Sequence, residues 1–351
     1  MKKSLFLLLV LVFAGCAPAP SLWGVPPLPA AKTRASTATA TVTPTSTPTF
    51  NPTFRPTRTP TVTRTPTATL TPEPTQSADA IERVMIISFD GLRGDAVAAA
   101  PMPNLLGLME NGAYTLHAHS INYPVTLPSH ASMLSGLCLD QHGVDWNGLL
   151  YYRGYSQGVD IFDLADAADM RSVMIVGKTK LRQVAEPETT DVFEVYGAEV
   201  AIGEAVIAQI PPGFDLMFVH FPTADTIGHR NGWMSRQQLK VLHDSDLVLG
   251  QILAALETYG LRDTTLVIVT ADHGGHERTH DGLLQVDYDV PWVLSGPGVL
   301  PIELTTQVEL MDTAATVAYA LELPIPEEMV GIPVFEAFGL PFSERTEEAC
   351  P

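Results

Sequence analysis

The architecture of this chain can be worked out from the segment Val84-Met85-Ile86-Ile87-Ser88-Phe89-Asp90-Gly91. The segment is a largely apolar run that ends at a carboxylate. Continuous apolar runs of this length are typical of strands that are buried on both faces of a parallel sheet. The segment therefore predicts a buried parallel strand with the side chain of Asp90 at its carboxyl end.

Further strands and helices alternate along the rest of the chain. Other apolar runs predict strands at residues 172–177, 214–220, 265–270 and 291–294. Apolar residues at helical spacing, with Gly or Pro near the ends, predict helices at residues 103–111, 129–134, 160–170, 200–210, 237–259 and 310–321. Strands that alternate with helices predict an α/β fold, with a mostly parallel central sheet and helices on both faces.

Three carboxylates follow predicted strands. Asp90, Asp225 and Asp272 each come shortly after an apolar run. In a parallel sheet of this kind, ligands bind beyond the carboxyl ends of the strands. We therefore expect all three side chains to lie at one edge of the sheet.

Three imidazoles accompany these carboxylates. His229 lies four residues after Asp225, a spacing that places both side chains on one side of a helix. His273 directly follows Asp272, and His280 comes soon afterwards. A set of carboxylates and imidazoles favours Zn²⁺ over Ca²⁺ or Mg²⁺, which prefer sites made of oxygen ligands alone.

The stretch Asn122-Tyr123-Pro124-Val125-Thr126-Leu127-Pro128-Ser129-His130 supplies a candidate nucleophile. We expect Thr126 at a sharp turn just before a helix N-terminus, where unpaired N–H groups and the helix dipole favour an anion. A hydroxyl there can attack a phosphoryl or sulfuryl group once a base or a metal activates it. Two Zn²⁺, three Asp carboxylates and a Thr126 alkoxide would sum to zero charge, and such a metal pair would lower the pKa of the hydroxyl.

Taken singly, these residues have simpler interpretations. A strand-end Asp is more often a turn residue, a lone His is more often structural, and Thr126 alone would be a helix cap. The functional interpretation rests on their joint placement at predicted strand ends and turns within one domain.

The first 79 residues have the composition of targeting and spacer segments. Residues 1–15 combine lysines with a short apolar run, as a secretory signal peptide does, and the run up to Cys16 resembles a bacterial lipobox. Lipidated Cys16 would attach the protein to a membrane surface of the cell envelope, whereas ordinary cleavage nearby would leave it secreted. Residues 16–79 are rich in Thr and Pro, which predicts a disordered linker.

Residues 80–351 are long enough for one large catalytic domain with a sizeable core. They carry 37 acidic and 13 basic side chains, a net charge of −24, so no nucleic-acid binding is expected. Cys138 and Cys350 are the two cysteines of this part. In an oxidising compartment they could pair, and they could equally be two unrelated thiols.

The ordered set of motifs resembles the alkaline phosphatase superfamily, and in particular its nucleotide pyrophosphatase/phosphodiesterase branch. The resemblance covers most of residues 82–335. The motifs that carry it are Ser88–Arg93, Thr126–His130, Ser135-Gly136, His142–Val144, Asp225–His229 and Thr270–Gly274.

The resemblance implies two Zn²⁺ ions and an alkaline phosphatase-like fold. The ligand sets that it implies are Asp225, His229 and His280 for one ion, and Asp90, Asp272 and His273 for the other. Thr126 would lie toward both ions. His276 is close to His280 in the sequence and could replace it, although the context of His280 fits the last ligand of the family better.

The resemblance also implies an extracytoplasmic hydrolase of phosphodiester or pyrophosphate bonds. Its substrate would be a small phosphate ester or nucleotide, and the reaction would pass through a covalent phospho-threonine at Thr126. No Arg adjoins Thr126 in the sequence to neutralise a dianion, which favours diesters over monoesters unless folding brings in a distant Arg or Lys.

Other functions stay open. A phosphomonoesterase is the alternative within the superfamily. A sulfatase would need a Cys or Ser that is converted to formylglycine, and Thr126 cannot undergo that conversion. A non-catalytic surface binding module would keep the fold, and its zinc content would distinguish it from an enzyme.

Overall fold

The computed structural model of the protein describes residues 81–342 together with Arg345 and Cys350. The predictions of a signal peptide at 1–15, a lipidated Cys16 and a linker at 16–79 lie outside the described residues. Within the described residues, no helix has the length and apolar character needed to cross a membrane.

Seven strands form one sheet in the described part of the chain. They are β1 (Arg83–Phe89), β2 (Ala113–His119), β3 (Ser172–Val176), β4 (Val192–Val195), β5 (Leu216–Phe221), β6 (Thr265–Thr270) and β7 (Asp289–Ser295). Their order is β2-β7-β6-β1-β5-β3-β4. The five strands from β6 to β4 are parallel, and β7 runs antiparallel to both β6 and β2. The expected mostly parallel sheet is confirmed, with its two antiparallel pairs at one end.

The apolar runs of the sequence become the buried centre of this sheet. In β1 the side chains from Val84 to Phe89 are at most 1% exposed. Ile86 pairs with Phe218 on β5 and with Ile268 on β6. Burial of each such side chain stabilises the fold by about 1.5–3 kcal/mol, which is why a run without polar alternation occupies the central strand.

Helices pack in two groups around the sheet. The helices are α1 (Ala96–Ala99), α2 (Pro103–Glu110), α3 (Thr126–Ser135), α4 (Leu139–His142), α5 (Ile161–Ala167), α6 (Glu199–Gln209), α7 (Thr223–Asn231), α8 (Arg236–Thr258) and α9 (Asp312–Ala320). Helix α8 contacts α2, α6 and α7, whereas α3 and α5 contact α9. The predicted α/β class is confirmed.

Two strands escaped the sequence analysis, and both lie at edges of the sheet. Strand β2 has mixed burial and an irregular register with β7 between Thr115 and Ala118. Strand β4 is four residues long and is half-buried or exposed throughout. An edge strand has one neighbour and needs no continuous apolar run, so its sequence pattern is weak.

The topology brings three strand ends together at the carboxyl edge. Strand β1 lies between β5 and β6, and Ser88 pairs with His220 on one side and with Thr270 on the other. Asp90 follows β1, Asp272 follows β6, and α7 begins directly after β5. The residues that bear carboxylates are therefore adjacent in space although they are far apart in the sequence.

A disulfide bond joins Cys138, just before α4, to Cys350 near the end of the chain. Their Cα atoms are 5.5 Å apart, and the crosslink spans 212 residues of sequence. Of the two possibilities left open by the sequence, pairing is the one found.

The double variant Cys138→Ser/Cys350→Ser should be about 2–4 kcal/mol less stable than the wild type, because a crosslink over a long loop restricts the unfolded chain. Urea unfolding followed by circular dichroism measures the difference. Wild-type protein treated with a reductant should unfold like the variant. An unchanged midpoint in both would show that the crosslink adds nothing to stability.

Candidate active site and metal-binding clusters

The candidate nucleophile Thr126 is the first residue of α3 and is 1% exposed. The sequence prediction of a helix starting at residue 129 is wrong, since the helix includes Thr126 rather than following it. The preceding Val125 is extended, and the Ser129 N–H donates to its carbonyl at 3.0 Å. Pro128 fits because a proline in the first turn of a helix removes only an N–H that has no partner within the helix.

His130 holds this helix start against the central strand. Its ring is fully buried, and its Nδ1–H donates to the Thr126 carbonyl at 2.6 Å. The Nε2 atom is therefore an acceptor, and it receives the Ser88 hydroxyl of β1 at 2.9 Å. Burial lowers the pKa of His130 well below its usual value, so the ring is neutral. The position of Thr126 is thus fixed through β1.

One cluster of candidate ligands consists of Asp90, Asp272 and His273, all fully buried. His273 Nε2 lies 3.5 Å from Asp90 Oδ1 and 3.4 Å from Asp272 Oδ2. Asp272 is oriented by the Gly91 N–H, which donates to its Oδ1 at 3.1 Å. Gly91 has a φ of +77°, and a Cβ there would lie 3.2 Å from the Asp225 backbone, so glycine suits this turn in both respects.

A second cluster consists of Asp225, His229 and His280. His229 Nε2 lies 3.2 Å from both Asp225 Oδ1 and His280 Nε2, and His280 Nε2 lies 3.7 Å from the same carboxylate oxygen. Asp225 and His280 also group with His273, whose ring stacks on His280 at 3.8 Å. The two clusters are therefore contiguous.

The three imidazoles form the same type of hydrogen bond to the backbone. The Nδ1–H groups of His229, His273 and His280 donate to the carbonyls of Arg278, Gly274 and Pro124 at 2.8–2.9 Å. Each ring therefore presents the Nε2 lone pair to the clusters, as metal-binding imidazoles do. The Nε2 atoms of His229 and His280 lie 3.2 Å apart, so one cation could contact both.

Unpaired buried atoms provide a test of whether a metal fits. Among the described residues, eight buried side-chain nitrogen or oxygen atoms have no hydrogen-bond partner, and half of them belong to the two clusters: Asp90 Oδ1, Asp225 Oδ1, Asp272 Oδ2 and His273 Nε2. Leaving such atoms unpaired costs free energy, and coordination to a cation would offset that cost. The donor set also suits Zn²⁺. The residues present therefore fit metal ions.

The carboxylates differ in how much positive charge they receive. Burial raises the pKa of Asp272 well above its usual value, and the neighbouring Asp90 carboxylate raises it further. For Asp90, burial acts in the same direction, but the ammonium of Lys178 and the hydrogen bond from His220 outweigh it and hold the pKa well below the usual range. The positive groups of the site thus act mainly on Asp90.

Two residues that contact Asp90 were not predicted from the sequence. Lys178, two residues after β3, places its Nζ 2.6 Å from Asp90 Oδ2 and from Asp225 Oδ2, and 3.4 Å from Thr126 Oγ1. His220 on β5 accepts the Gly177 N–H at its Nδ1 and donates from Nε2 to Asp90 Oδ2 at 2.9 Å. The positions of both residues in the sheet explain these contacts. Lys178 lies beyond the carboxyl end of β3, and His220 lies near the carboxyl end of β5, so both could have been predicted at this edge.

Trp233 was also missed. Its indole N–H donates to the Gly91 carbonyl at 2.9 Å. Its ring packs against His229 and His280, with 5.0 and 5.8 Å between the ring centroids. One side chain therefore joins the turn after Asp90 to the imidazoles of the second cluster. No sequence pattern indicated this contact.

The structure distinguishes His280 from His276. His276 Nδ1–H donates to Asp287 Oδ1 at 2.7 Å, and the other oxygen of Asp287 accepts the Gly282 N–H at 2.9 Å. This pair ties together the loop that carries His280. His280 lies with Asp225 and His273, whereas His276 groups with Asp281 and Asp287.

A mostly parallel sheet with two carboxylate–imidazole clusters beside a helix-terminal threonine defines an α/β protein of the alkaline phosphatase type. The family model of type I phosphodiesterases and nucleotide pyrophosphatases matches residues 84–156 and 151–291. The chain belongs to this family.

Known proteins share the fold over much of the described chain. Mouse bis(5′-adenosyl)-triphosphatase is 24% identical over 232 residues, which cover 60% of this chain and 51% of that protein. The chain thus spans about half the length of this relative. Murine ectonucleotide pyrophosphatase/phosphodiesterase 5, solved with AMP, gives a TM-score of 0.60 at 14% identity and covers 73% of this chain and 98% of its own. A 2-O glycosaminoglycan sulfatase gives 0.63 at 14% identity, covering 76% and 75%.

His280→Ala should weaken Zn²⁺ binding by more than about 100-fold, because it removes a lone pair that faces the clusters. His276→Ala is the matched control, and we expect a clearly smaller loss because His276 contacts Asp287 instead. Competition with a fluorescent chelator measures both affinities. Equal losses in the two variants would contradict the assignment of His280.

Proposed function

We propose that this chain is an extracytoplasmic, zinc-dependent hydrolase of phosphodiester or pyrophosphate bonds, with Thr126 as its nucleophile. The observation that carries the proposal is that Lys178 Nζ contacts Thr126 Oγ1, Asp90 and Asp225 together, which brings the hydroxyl close to clusters in which four buried ligand atoms lack partners. Family membership supports a phosphoric ester hydrolase, as does the activity in the name of the mouse relative, a bis(5′-adenosyl)-triphosphatase.

Two Zn²⁺ ions would complete the site. The proposed ligands are Asp225, His229 and His280 for one ion, and Asp90, Asp272 and His273 for the other, with Thr126 toward both. When bound, the ions would lower the pKa of the Thr126 hydroxyl and stabilise negative charge on the phosphoryl and leaving oxygens.

Thr126 would act through two displacements. In the first, Thr126 Oγ gives up its proton and forms a bond to phosphorus, the bond from phosphorus to the leaving oxygen breaks, and a proton is returned to that oxygen. In the second, a water molecule loses a proton as its oxygen bonds to phosphorus, the bond to Thr126 Oγ breaks, and Oγ regains a proton as the phosphate product leaves. His130 keeps Thr126 in position through both steps, and the N-terminus of α3 favours the anionic group that is attacked.

The proposed location of the protein in the cell follows from the sequence of its first 79 residues. Residues 1–15 would direct export, Cys16 would carry a lipid, and residues 16–79 would separate the catalytic domain at 80–351 from the membrane surface. The substrate would then be a small phosphate ester or nucleotide met outside the cytoplasm. The disulfide between Cys138 and Cys350 supports an oxidising compartment.

A phosphomonoesterase is the second candidate, and one observation favours it. Lys178 brings an ammonium group to within 3.4 Å of Thr126 Oγ1. The absence of an Arg adjoining Thr126 in the sequence favoured diesters, and folding brings the ammonium group of Lys178 to this position. The choice between monoesters and diesters therefore needs a direct assay.

Thr126→Ala should lower turnover by at least about 1,000-fold while Zn²⁺ binding persists, because the nucleophile is lost and the proposed metal-binding side chains of both clusters stay in place. Hydrolysis of an aryl phosphodiester, an aryl phosphomonoester and an aryl sulfate by the full chain measures this. Thr258→Ala, at the exposed end of α8, is the control. Diester turnover that survives in Thr126→Ala would rule out the phospho-threonine, and preference for the monoester or the sulfate would move the chain within the superfamily.

Asp272→Asn should abolish turnover and reduce the zinc content of the purified protein, since it removes a charge from a fully buried cluster. Mass spectrometric metal analysis after dialysis gives the number of ions per chain. Asp244→Asn, on the exposed side of α8, should behave like the wild type. Full activity of Asp272→Asn would refute the metal scheme, and a wild type without zinc or turnover would favour a binding module.

A further inference from the structure

A third cluster of candidate ligands lies on the loop that carries His280. It consists of His276, Asp281 and Asp287, and it shares no residue with the two clusters of the candidate active site. Each of the three side chains offers one ligand atom, and these atoms all lie within 4.8 Å of one another. His276, which does not belong to the active-site clusters, is thus part of a separate set of possible ligands.

Asp287 fixes the orientation of the His276 ring. Asp287 is fully buried, and its Oδ1 accepts the Nδ1–H of His276 at 2.7 Å. The Nε2 atom of the ring is then the free ligand atom, and it lies 4.0 Å from Asp281 Oδ1. A carboxylate that accepts one ring N–H and so presents the other nitrogen is the arrangement found behind metal-binding histidines.

The cluster has more negative than positive charge. The hydrogen bond to Asp287, together with the charges of Asp287, Asp281 and Glu277, raises the pKa of His276. In the part of the chain that the structure describes, no Lys or Arg forms an ion pair with these three acids. The side chain of Asp281 is 46% exposed, so an ion can reach the cluster from the solvent. Both features favour the binding of a cation.

The cluster also lies on both sides of His280 along the chain. His276 precedes His280 by four residues, and Asp281 directly follows it. Asp287 already joins the two sides, because its carboxylate accepts the Nδ1–H of His276 and the backbone N–H of Gly282. A cation bound to both His276 and Asp281 would add a second link across the loop.

We propose that His276, Asp281 and Asp287 form an accessory site for a divalent transition-metal ion. His276 Nε2 and the Asp281 carboxylate bind the ion directly, water molecules fill its remaining positions, and Asp287 orients the imidazole. The imidazole ligand disfavours Ca²⁺ and Mg²⁺, which prefer oxygen. With two direct protein ligands the site binds its ion more weakly than a cluster with three. The bound ion restrains the loop that carries His280.

Titration of the full chain with Mn²⁺, after loading with Zn²⁺ and dialysis, tests the site. Mn²⁺ binds more weakly than Zn²⁺ to the same ligands, so it does not displace tightly bound zinc. The electron paramagnetic resonance signal of free Mn²⁺ measures binding. We expect the wild type to bind one more Mn²⁺ per chain than either His276→Gln or Asp281→Asn, because loss of one ligand weakens this site by at least about 10-fold.

His117→Gln is the matched control. His117 is an exposed imidazole whose Nδ1 lies 3.5 Å from the carboxylate of Asp289, and we expect the variant to bind Mn²⁺ like the wild type. Wild-type affinity in both His276→Gln and Asp281→Asn would overturn the accessory site. A loss of the same size in His117→Gln would also overturn it, since any imidazole beside a carboxylate would then bind the ion.

Hydrogen exchange followed by mass spectrometry tests the restraint of the loop. We expect Mn²⁺ to slow the exchange of amides in residues 276–283 by about 10-fold in the wild type, and to have no such effect in Asp281→Asn. Mn²⁺ that binds to the wild type without slowing this exchange would refute the restraint. Neither measurement needs turnover, so failure of the proposed hydrolase function would leave both results interpretable.

Discussion

Three carboxylates buried at one edge of the sheet impose the constraint on which the rest of the site depends. Asp90 and Asp272 are 0% exposed and Asp225 is 5% exposed, so water screens their repulsion poorly. Three groups compensate this charge: the Lys178 ammonium forms an ion pair with Asp90, His220 donates a hydrogen bond to Asp90, and the Gly91 N–H donates one to Asp272. The Nε2 atoms of the cluster imidazoles also face the carboxylates. Divalent cations would reduce the remaining repulsion and pair the buried ligand atoms that have no partner, which is the physical basis for proposing them.

The surrounding structure holds these groups in place by direct contacts. Each cluster imidazole donates Nδ1–H to a backbone carbonyl, so its orientation follows from the path of the main chain. Trp233 links the turn after Asp90 to His229 and His280. The free energy needed to hold the ligand atoms close together is therefore supplied by folding. Few side chains need to move when a cation binds.

Thr126 and two lysines lie on one side of the carboxylates, at different distances from them. The α3 N-terminus and Lys178 lie on the carboxylate side, and Lys180 lies farther along, bonded to Asn147. A negatively charged group at Thr126 would therefore meet both the helix N-terminus and the ammonium of Lys178.

The sequence by itself determined the α/β class and the central strands, and it indicated the carboxylates Asp90, Asp225 and Asp272 as candidate ligands, because continuous apolar runs and the acids that follow them are local patterns. The weak edge strands β2 and β4 and the start of α3 at Thr126 were beyond it, since edge strands need no continuous apolar run and Pro128 resembles a helix boundary. Only the tertiary structure decided between His280 and His276, paired Cys138 with Cys350, and brought Lys178, His220 and Trp233 to the clusters. These contacts join residues from different strands and loops. The order of the strands in the sheet decides which of these residues become neighbours, and the spacing of residues along the sequence does not specify that order.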